Sequence, residues 1–370
     1  MIKDTEILVI GAGPAGLAAA SAAAFLGASV LICERDDAPG GQLVKQTHKF
    51  FGSEKQYAGD RGIYIGRRLT GAVRENPQIE LMTDATVLGI YDDGIVTVLH
   101  DNRHLKIRPQ KTIVATGAAE KFLAFPGNDL PGIYGAGAVQ TLMNVAGVRP
   151  AERVLMVGAG NIGLIVTYQL LQAGVQVAGV IEAAPKIGGY LVHASKIRRA
   201  GVPILTRHTV CEAFGTDQLE GVRICRLDDQ GQKIPGSEET IACDTLCLAV
   251  GLTPLTELCW QAGCEMAWIR ELSGHVPIVD ENLETSVPGL YAAGDVSGIE
   301  EASSAMVEGR LAGLAAAGSL GYRPEQAKEE ILAARAELAE LRSGPTGGKI
   351  MAGLARMREA GKTKGGVFVC

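Results

Sequence analysis

Two sets of residues in this chain are spaced for the same chemistry. Gly11, Gly13 and Gly16 follow the apolar run Ile7–Ile10, and Gly158, Gly160 and Gly163 follow the apolar run Val154–Val157. Each set reads as the turn between a buried strand and a helix. Each is then followed by a second apolar strand that ends on an acid, Glu34 in one case and Glu182 in the other. The first glycine turns the chain out of the strand, the second leaves the backbone bare for a pyrophosphate, and the third lets helix and sheet pack closely. The positive end of the helix faces the phosphates. A carboxylate about 20 residues further on can accept a hydrogen bond from an adenosine ribose. The spacing therefore points to recognition of a dinucleotide, written twice.

The repetition runs beyond the glycines. Gly40-Gly41-Gln42-Leu43 starts six residues past Glu34, and Gly188-Gly189-Tyr190-Leu191 starts six residues past Glu182. Gln42 can donate and accept hydrogen bonds, as a flavin ring edge requires. Later, the strand end Val114-Ala115-Thr116-Gly117, where a ligand can approach the backbone, is echoed by Leu248–Gly251. Two dinucleotides in one chain imply hydride transfer between a nicotinamide and a flavin, stacked near Gly41, Gln42, Gly117 and Gly294. That step needs no side-chain acid or base, so no catalytic residue is assigned. Lys45, His48 and Lys49 read as solvated charges. Glu182 suits a free 2′-hydroxyl and repels a 2′-phosphate, which favours NAD(H) over NADP(H), although Lys186 nearby pulls the other way.

The elements that must position these groups are legible in outline. Tyr57 to Glu75 has helical spacing; from Ile79 the period becomes that of strands, through IELMT, ATVLGIY, IVTVLH and HLKIR. These predict an antiparallel meander inserted into a parallel sheet and closed by a further apolar strand, Thr112 to Gly117. Prolines between Glu120 and Pro150 suit a crossing to the second nucleotide unit. After Pro254 a helix-like TELCWQAGCEM leads to the buried strand Leu290 to Ala293, with Gly294-Asp295 at its carboxyl end, where ligands collect in open α/β sheets. Asp295 can accept a hydrogen bond from a sugar-like hydroxyl. A helix then begins around Glu300 to Ala305, and its first N–H groups, near Glu301 and Ala302, can stabilise an electron-rich ring edge. The fold class is α/β, with two Rossmann-like domains and one inserted in the other. Residues 1–118 and 275–321 form the first domain, 119–274 the second, and 322–370 a C-terminal helix and basic tail. That tail reads as solvated or as a docking segment for another subunit.

Composition narrows the class. With 370 residues, 47% hydrophobic content and 48 glycines, the chain suits large α/β layers with many tight turns. A formal charge of −6 gives no pull toward nucleic acid or an anionic membrane. No apolar stretch reads as a membrane span and the start does not read as a signal peptide, so a cytoplasmic protein is expected. The 8 cysteines contain no CxxC, which excludes a vicinal redox pair or zinc knuckle. Cys243 and Cys247 read as packed free thiols on one face of a strand, and Cys370 as exposed.

GAGPAG with Glu34, GGQL, the strand closing on ATG, the second GAGNIG, and SVPGLYAAGD together resemble the two-dinucleotide-domain flavoproteins related to thioredoxin reductase, over about residues 5 to 320. The resemblance implies FAD in the first site. Its pyrophosphate would lie at Gly13, Pro14, Ala15 and Gly16, its adenosine at Glu34 and Arg35, its adenine near backbone at Val87, and its ribityl chain at Asp295. The nicotinamide nucleotide would lie at Gly158, Gly160, Asn161, Ile162, Gly163 and Glu182. Thioredoxin reductases carry a CxxC soon after the crossover, where this chain has Gly132 to Gln140, so dithiol reduction is not expected. GAGAVQTLMN, GLTPLTELCWQAGCE and the segment from Ser286 to Gly313 instead resemble the alpha subunits of heteromeric proline dehydrogenase, opine oxidase, sarcosine oxidase and hydrogen cyanide synthase complexes. This implies an oligomer in which the chain passes electrons between NAD(H), FAD and a partner flavin or iron–sulfur subunit. The alternatives are a stand-alone NADH:acceptor oxidoreductase and a nucleotide-filled, non-catalytic scaffold.

Overall fold

The computed structural model describes residues 2–344 and 347–363. The chain divides into two compact units, one made of residues up to 119 together with those from 253 onward, the other of residues 120–252. The first begins with β1 (Ile2–Ile10), α1 (Pro14–Leu26), β2 (Val30–Cys33), α2 (Gly62–Arg74), β3 (Ile79–Met82), β4 (Ala85–Ile90), β5 (Val96–His100) and β6 (Arg103–Val114). These strands form one sheet in the order β3-β2-β1-β6-β5-β4. Ile7–Ile10 and Val30–Cys33 are apolar without alternation because both faces of this parallel ladder are buried.

Two sequence expectations change here. IELMT is not the first strand of the meander: β3 pairs in parallel with β2. HLKIR and TIVATG are not separate either, because β6 is one strand of 12 residues. Its first residues pair antiparallel with β5, and Thr112, Ile113 and Val114 pair in parallel with the late strand near Tyr291. Pro109 falls opposite Thr5 of β1, between the stretch of β6 that pairs with β5 and the stretch that pairs with the late strand. The meander is thus an extension of the nucleotide-binding sheet itself.

The chain leaves through β7 (Ala118–Glu120). The second unit then contains β8 (Ile133–Gly135), α3 (Ala136–Asn144), β9 (Arg153–Val157), α4 (Asn161–Gln172), β10 (Gln176–Glu182), α5 (Leu191–Arg199), β11 (Ile204–Thr206), β12 (His208–Phe214), β13 (Gly221–Arg226), β14 (Glu239–Ala242) and β15 (Thr245–Leu248). Five of these form a sheet in the order β11-β10-β9-β15-β8, and β12-β13-β14 form an antiparallel one. Alternate residues of β9 enter two different cores, Val154 and Met156 in one, Leu155 and Val157 in the other. Cys247 joins the first and Cys243 the second, so the two thiols do not share a face. The strand starts only at Thr245, after a turn at Asp244, and alternation does not run through from Cys243. Both are free and buried, as expected of packed thiols, and burial pushes the Cys243 thiol up to about 11. Cys370 lies outside the described residues.

The chain returns through β16 (Leu252–Pro254) to α6 (Glu257–Gln261), β17 (Met266–Ile269), β18 (Gly274–Pro277), β19 (Leu290–Ala292), α7 (Ala302–Ser319), α8 (Pro324–Leu341) and α9 (Gly347–Thr363). The expected boundary at residue 274 is displaced. Cys259, Cys264, Met266, Ile269 and Leu272 lie in the core of the first unit, and a cut at 275 would divide the β17–β18 hairpin, in which Trp268 faces His275. The region after 322 is also not merely solvated: Ala327, Ala334, Leu338 and Met357 are buried in that same core. Its closing Gly366–Cys370 lies outside the described residues.

Helix α7 lies along α1 at backbone contact. A Cβ on Gly309 would come 2.0 Å from Ala15 O, and one on Gly313 2.1 Å from Ala19 O. Small residues on both helices, Ala15, Ala19, Ala312 and Ala316 among them, let the two backbones meet. Among the described residues no helix is long and apolar enough to cross a membrane, and no cluster of side chains could hold a metal ion.

Candidate dinucleotide sites

In the first unit, β1 ends at a turn whose shape is set by three close approaches. Gly11, at φ +100°, has no room for a side chain because a Cβ would lie 2.5 Å from Ala115 O. A Cβ on Gly16 would lie 1.8 Å from Gly11 O. Gly41 faces Gly13 so closely that a Cβ there would meet the Gly13 Cα at 2.8 Å. Gly13 itself is different: its φ is −76°, and a Cβ would find only the Gly41 Cα, at 4.0 Å. Folding does not require glycine at position 13, and a phosphate approaching the helix end does.

The helix end is open for such a group. Leu17 N–H donates to Gly13 O at 2.9 Å and is the first bond of the α1 ladder. Pro14 has no N–H, and those of Ala15 and Gly16 precede that first bond, so they face out of the helix start. Glu34 is buried and holds the turn from the other side. Its Oε2 accepts from Ala12 N at 2.6 Å and its Oε1 from Asp36 N at 2.9 Å. Each carboxylate oxygen retains acceptor capacity for a ribose hydroxyl. Glutamine would offer one acceptor oxygen where two are used, so Glu34→Gln is expected to raise the FAD dissociation constant about tenfold. Equilibrium dialysis of the two proteins with FAD checks this, and an unchanged constant removes Glu34 from the site.

Distant segments converge on the same place within the unit. Ala15, Ala115 and Ala305 pack together. Gly294 joins them, with a Cβ there only 2.8 Å from the Ala15 Cβ. Thr116 Oγ1 donates to Leu255 O at 2.7 Å and Leu255 N donates to Gly117 O at 3.0 Å, which fixes the end of β6. Asp295 follows β19, and burial pushes its carboxyl up to about 6, against a long hydrogen bond of 3.4 Å from Glu300 N–H. Glu301 caps α7 and Ala302 is its first residue. Gln42 is exposed on the short turn Gly41–Lys45, Arg35 is exposed beside Asp36, and Val87 lies in β4, two residues past Ala85, whose N–H donates to Glu34 O at 2.8 Å.

The second unit repeats these contacts. A Cβ on Gly158 would lie 2.3 Å from Ala249 O, and one on Gly163 2.0 Å from Gly158 O, while one on Gly160 meets nothing within 4 Å. Glu182 Oε2 accepts from Ala159 N at 2.7 Å and Oε1 from Ala184 N at 2.9 Å, as Glu34 does from Ala12 and Asp36. Gly40 N donates to Ala12 O at 2.8 Å; Gly189 N donates to Ala159 O at 2.9 Å. Asn161 differs from Pro14 in having a side chain that works: its Oδ1 accepts from Tyr190 N at 2.8 Å, and Ile162 beside it is exposed. In both units the residues fit a dinucleotide, by open space at the second glycine, free N–H groups at a helix start and a fixed acid.

Residues 5–309 match the family described as pyridine nucleotide-disulphide oxidoreductase. The chain belongs to that family. As a member it is an FAD-dependent oxidoreductase with sites for FAD and a nicotinamide nucleotide. It is 30% identical over 332 residues to an opine oxidase subunit of Agrobacterium tumefaciens (strain Ach5), covering 85% of this chain and 66% of that one. It is 28% identical over 319 residues to the alpha chain of the sarcosine oxidase of Rhizobium meliloti (strain 1021), covering 82% of this chain and 29% of that one. The chain thus spans less than two thirds of either relative. The thioredoxin reductase of T. acidophilum shares its fold, with a TM-score of 0.70, 23% identity and coverage of 86% of this chain and 99% of that one. L-proline dehydrogenase from P. horikoshii has the same TM-score at 22% identity, covering 90% of this chain and 59% of that one.

Within this oxidoreductase, sequence reasoning missed a group beneath the Gly294–Asp295 turn. Glu308, buried in α7, accepts at Oε2 from Gly294 N at 2.8 Å and from Ser297 Oγ at 3.1 Å. Arg342, just past α8, reaches Glu308 Oε1 at 2.5 Å and Glu300 Oε1 at 2.6 Å. Burial, only partly offset by the guanidinium, holds the Glu308 carboxyl up at about 7, whereas the two carboxylates keep Arg342 charged. The available signal was a lone acid in the run Ala302–Gly313, whose other residues apart from Arg310 are small or apolar, without anything to indicate its partner.

Proposed function

We propose that this FAD-dependent oxidoreductase is the electron-transferring subunit of a heteromeric dehydrogenase or oxidase, moving electrons between NAD(H), FAD and a partner flavin or iron–sulfur subunit. The observation that supports it most is the duplicated cradle, in which both units share the glycine turn and the acid that fixes it. Relatives named as subunits of opine and sarcosine oxidases favour a partner. The cofactors supply a hydride donor and a two-electron acceptor; the protein's own residues bind and orient them. On this reading Gly13, Ala15, Gly16, Glu34 and Asp295 hold FAD, and Gly158, Gly160, Gly163 and Glu182 hold the nicotinamide nucleotide. The Glu182 carboxylate accepts from two backbone N–H groups, and a 2′-phosphate would add charge of the same sign beside it. NADH is therefore the expected donor rather than NADPH.

The test is an anaerobic titration of the pure protein that follows the visible flavin band. NADH is expected to bleach it at a concentration at least about tenfold below NADPH, a difference of about 1.4 kcal/mol. Turnover with dioxygen should be slow for the single chain and rise when the partner is added. A yellow protein bleached by neither nucleotide would sink the hydride-transfer reading. Fast turnover of the chain alone would make it a stand-alone oxidoreductase.

A further inference from the structure

The family match ends at residue 309, yet the group that ties down the Gly294–Asp295 turn is completed from beyond it. Arg342 stands at the C-terminal end of α8, its side chain only 10% exposed. Its Nε donates to Glu300 Oε1 and Oε2 at 3.1 and 3.2 Å, and its Nη2 donates to Glu300 at 2.6 Å and to Glu308 at 2.5 Å. From Glu308 the chain of bonds runs to Gly294 N and Ser297 Oγ, and Ser297 Oγ also donates to Gly294 O at 2.8 Å. From Glu300 it runs through the backbone N–H to Asp295 Oδ1. One cation therefore grips both carboxylates that flank the turn. The docking of α8 is reinforced one turn earlier, where Glu337 pairs with Arg310 of α7 and accepts from Gln56.

We propose that Arg342 is a positioning residue for the flavin site: through Glu308 and Glu300 it holds Gly294 and Asp295 in the geometry that receives the FAD ribityl chain. Glu308 is buried and the Glu300 side chain is only 10% exposed, so the two carboxylates that meet at one guanidinium repel each other in a medium of low dielectric once that cation is removed. Without it, Glu308 turns toward water or takes up a proton, and its hold on the Gly294 N–H and Ser297 hydroxyl weakens. Asp295 then loses the rigid turn on which its acceptor oxygens are presented. Arginine reaches both carboxylates at once with its planar fork, and lysine keeps the positive charge that offsets them without the second arm. In this chain the region after α7 is thus part of the first nucleotide site and not an appendage to it.

This inference rests on FAD occupying the first site, and the experiment keeps the two apart. Apoprotein is titrated with FAD, following the quenching of flavin fluorescence, for wild type, Arg342→Met and Arg342→Lys, with thermal melting of each apoprotein alongside. The expected result is a dissociation constant raised at least about tenfold in Arg342→Met and substantially restored in Arg342→Lys. A wild type that takes up no FAD overturns the cofactor assignment. A wild type that binds FAD and an Arg342→Met protein that binds it equally well overturn the role of Arg342 alone. That role also falls if both variants lose affinity and melting temperature together with no rescue by lysine, since the residue is then merely structural. Should Arg342→Met not fold, Ser297→Ala removes the hydroxyl that bridges Glu308 and Gly294 O, leaves Glu308 its bond from the Gly294 N–H, and leaves no charge unpaired. A raised constant in Ser297→Ala supports the proposal, and an unchanged one overturns it.

Discussion

Gly13→Val is expected to yield a folded but colourless protein. The backbone there is extended and negative in φ, which valine adopts readily, and the nearest protein atom to the new Cβ is 4.0 Å away. The fold leaves its Cβ at ordinary contact distance or beyond, and the side chain projects into the space that a pyrophosphate needs in order to reach the N–H groups of Ala15 and Gly16. The dissociation constant for FAD should rise at least about 100-fold, or about 3 kcal/mol, with the melting temperature of the apoprotein little changed. Gly160→Val is the matched control. A Cβ there meets nothing within 4 Å, and the variant should leave the protein yellow while abolishing the response to NADH. Visible spectra of the two purified variants, with and without NADH, check both halves. A yellow, NADH-responsive Gly13→Val protein would show that the first turn is not where a dinucleotide binds.

The second large effect concerns stability and comes from α7. Gly313→Leu would drive a Cβ to 2.1 Å from Ala19 O, a backbone atom inside α1 that cannot step aside. The helices must separate, opening a core in which Leu311, Ala312, Leu314 and Ala316 are buried. Overpacking of this kind is expected to cost more than about 4 kcal/mol and to lower the melting temperature by about 10 °C or abolish soluble expression. Gly71→Ala in α2 should act in the opposite direction. That glycine is helical, with nothing within 4 Å of a new Cβ, so alanine is expected to stabilise by about 0.5–1 kcal/mol. Thermal melts of the two variants beside the parent protein decide both predictions. A Gly313→Leu protein as stable as its parent would mean that α1 and α7 are not in backbone contact.

The glycine turns, their acids and the strand–turn–helix order around them were legible in the residues, because each is a local device. Gly11, Gly13 and Gly16 act on atoms within a few positions of themselves, and a helix start presents its N–H groups whatever lies elsewhere. Even Gly294 and Asp295, far along the chain, were recognisable from the buried strand that precedes them. The roles within these turns were less visible. Residue types could not show that Gly11 and Gly16 are demanded by neighbouring backbone whereas Gly13 and Gly160 are free of it.

Elsewhere the outcome depended on which surfaces met. HLKIR and TIVATG looked like two strands because Pro109 and a run of charges separate their apolar parts, yet β1 runs beside both and joins them into one. Residues 253–274 carry no mark of the unit they join; their apolar side chains suit either core, and it is the hairpin with Gly274–Pro277 that commits them to the first. The segment after residue 322 could be read as solvated because helical periodicity shows that a face is apolar but not what covers it. Arg342 is the clearest case. Its charge meets Glu300 and Glu308 only after α8 has folded back along α7, and a pairing across 34 residues leaves no periodic signal in either partner. Local geometry and short-range backbone chemistry are written residue by residue, whereas the pairing of distant charges and the membership of a core are settled by the packing that brings them together.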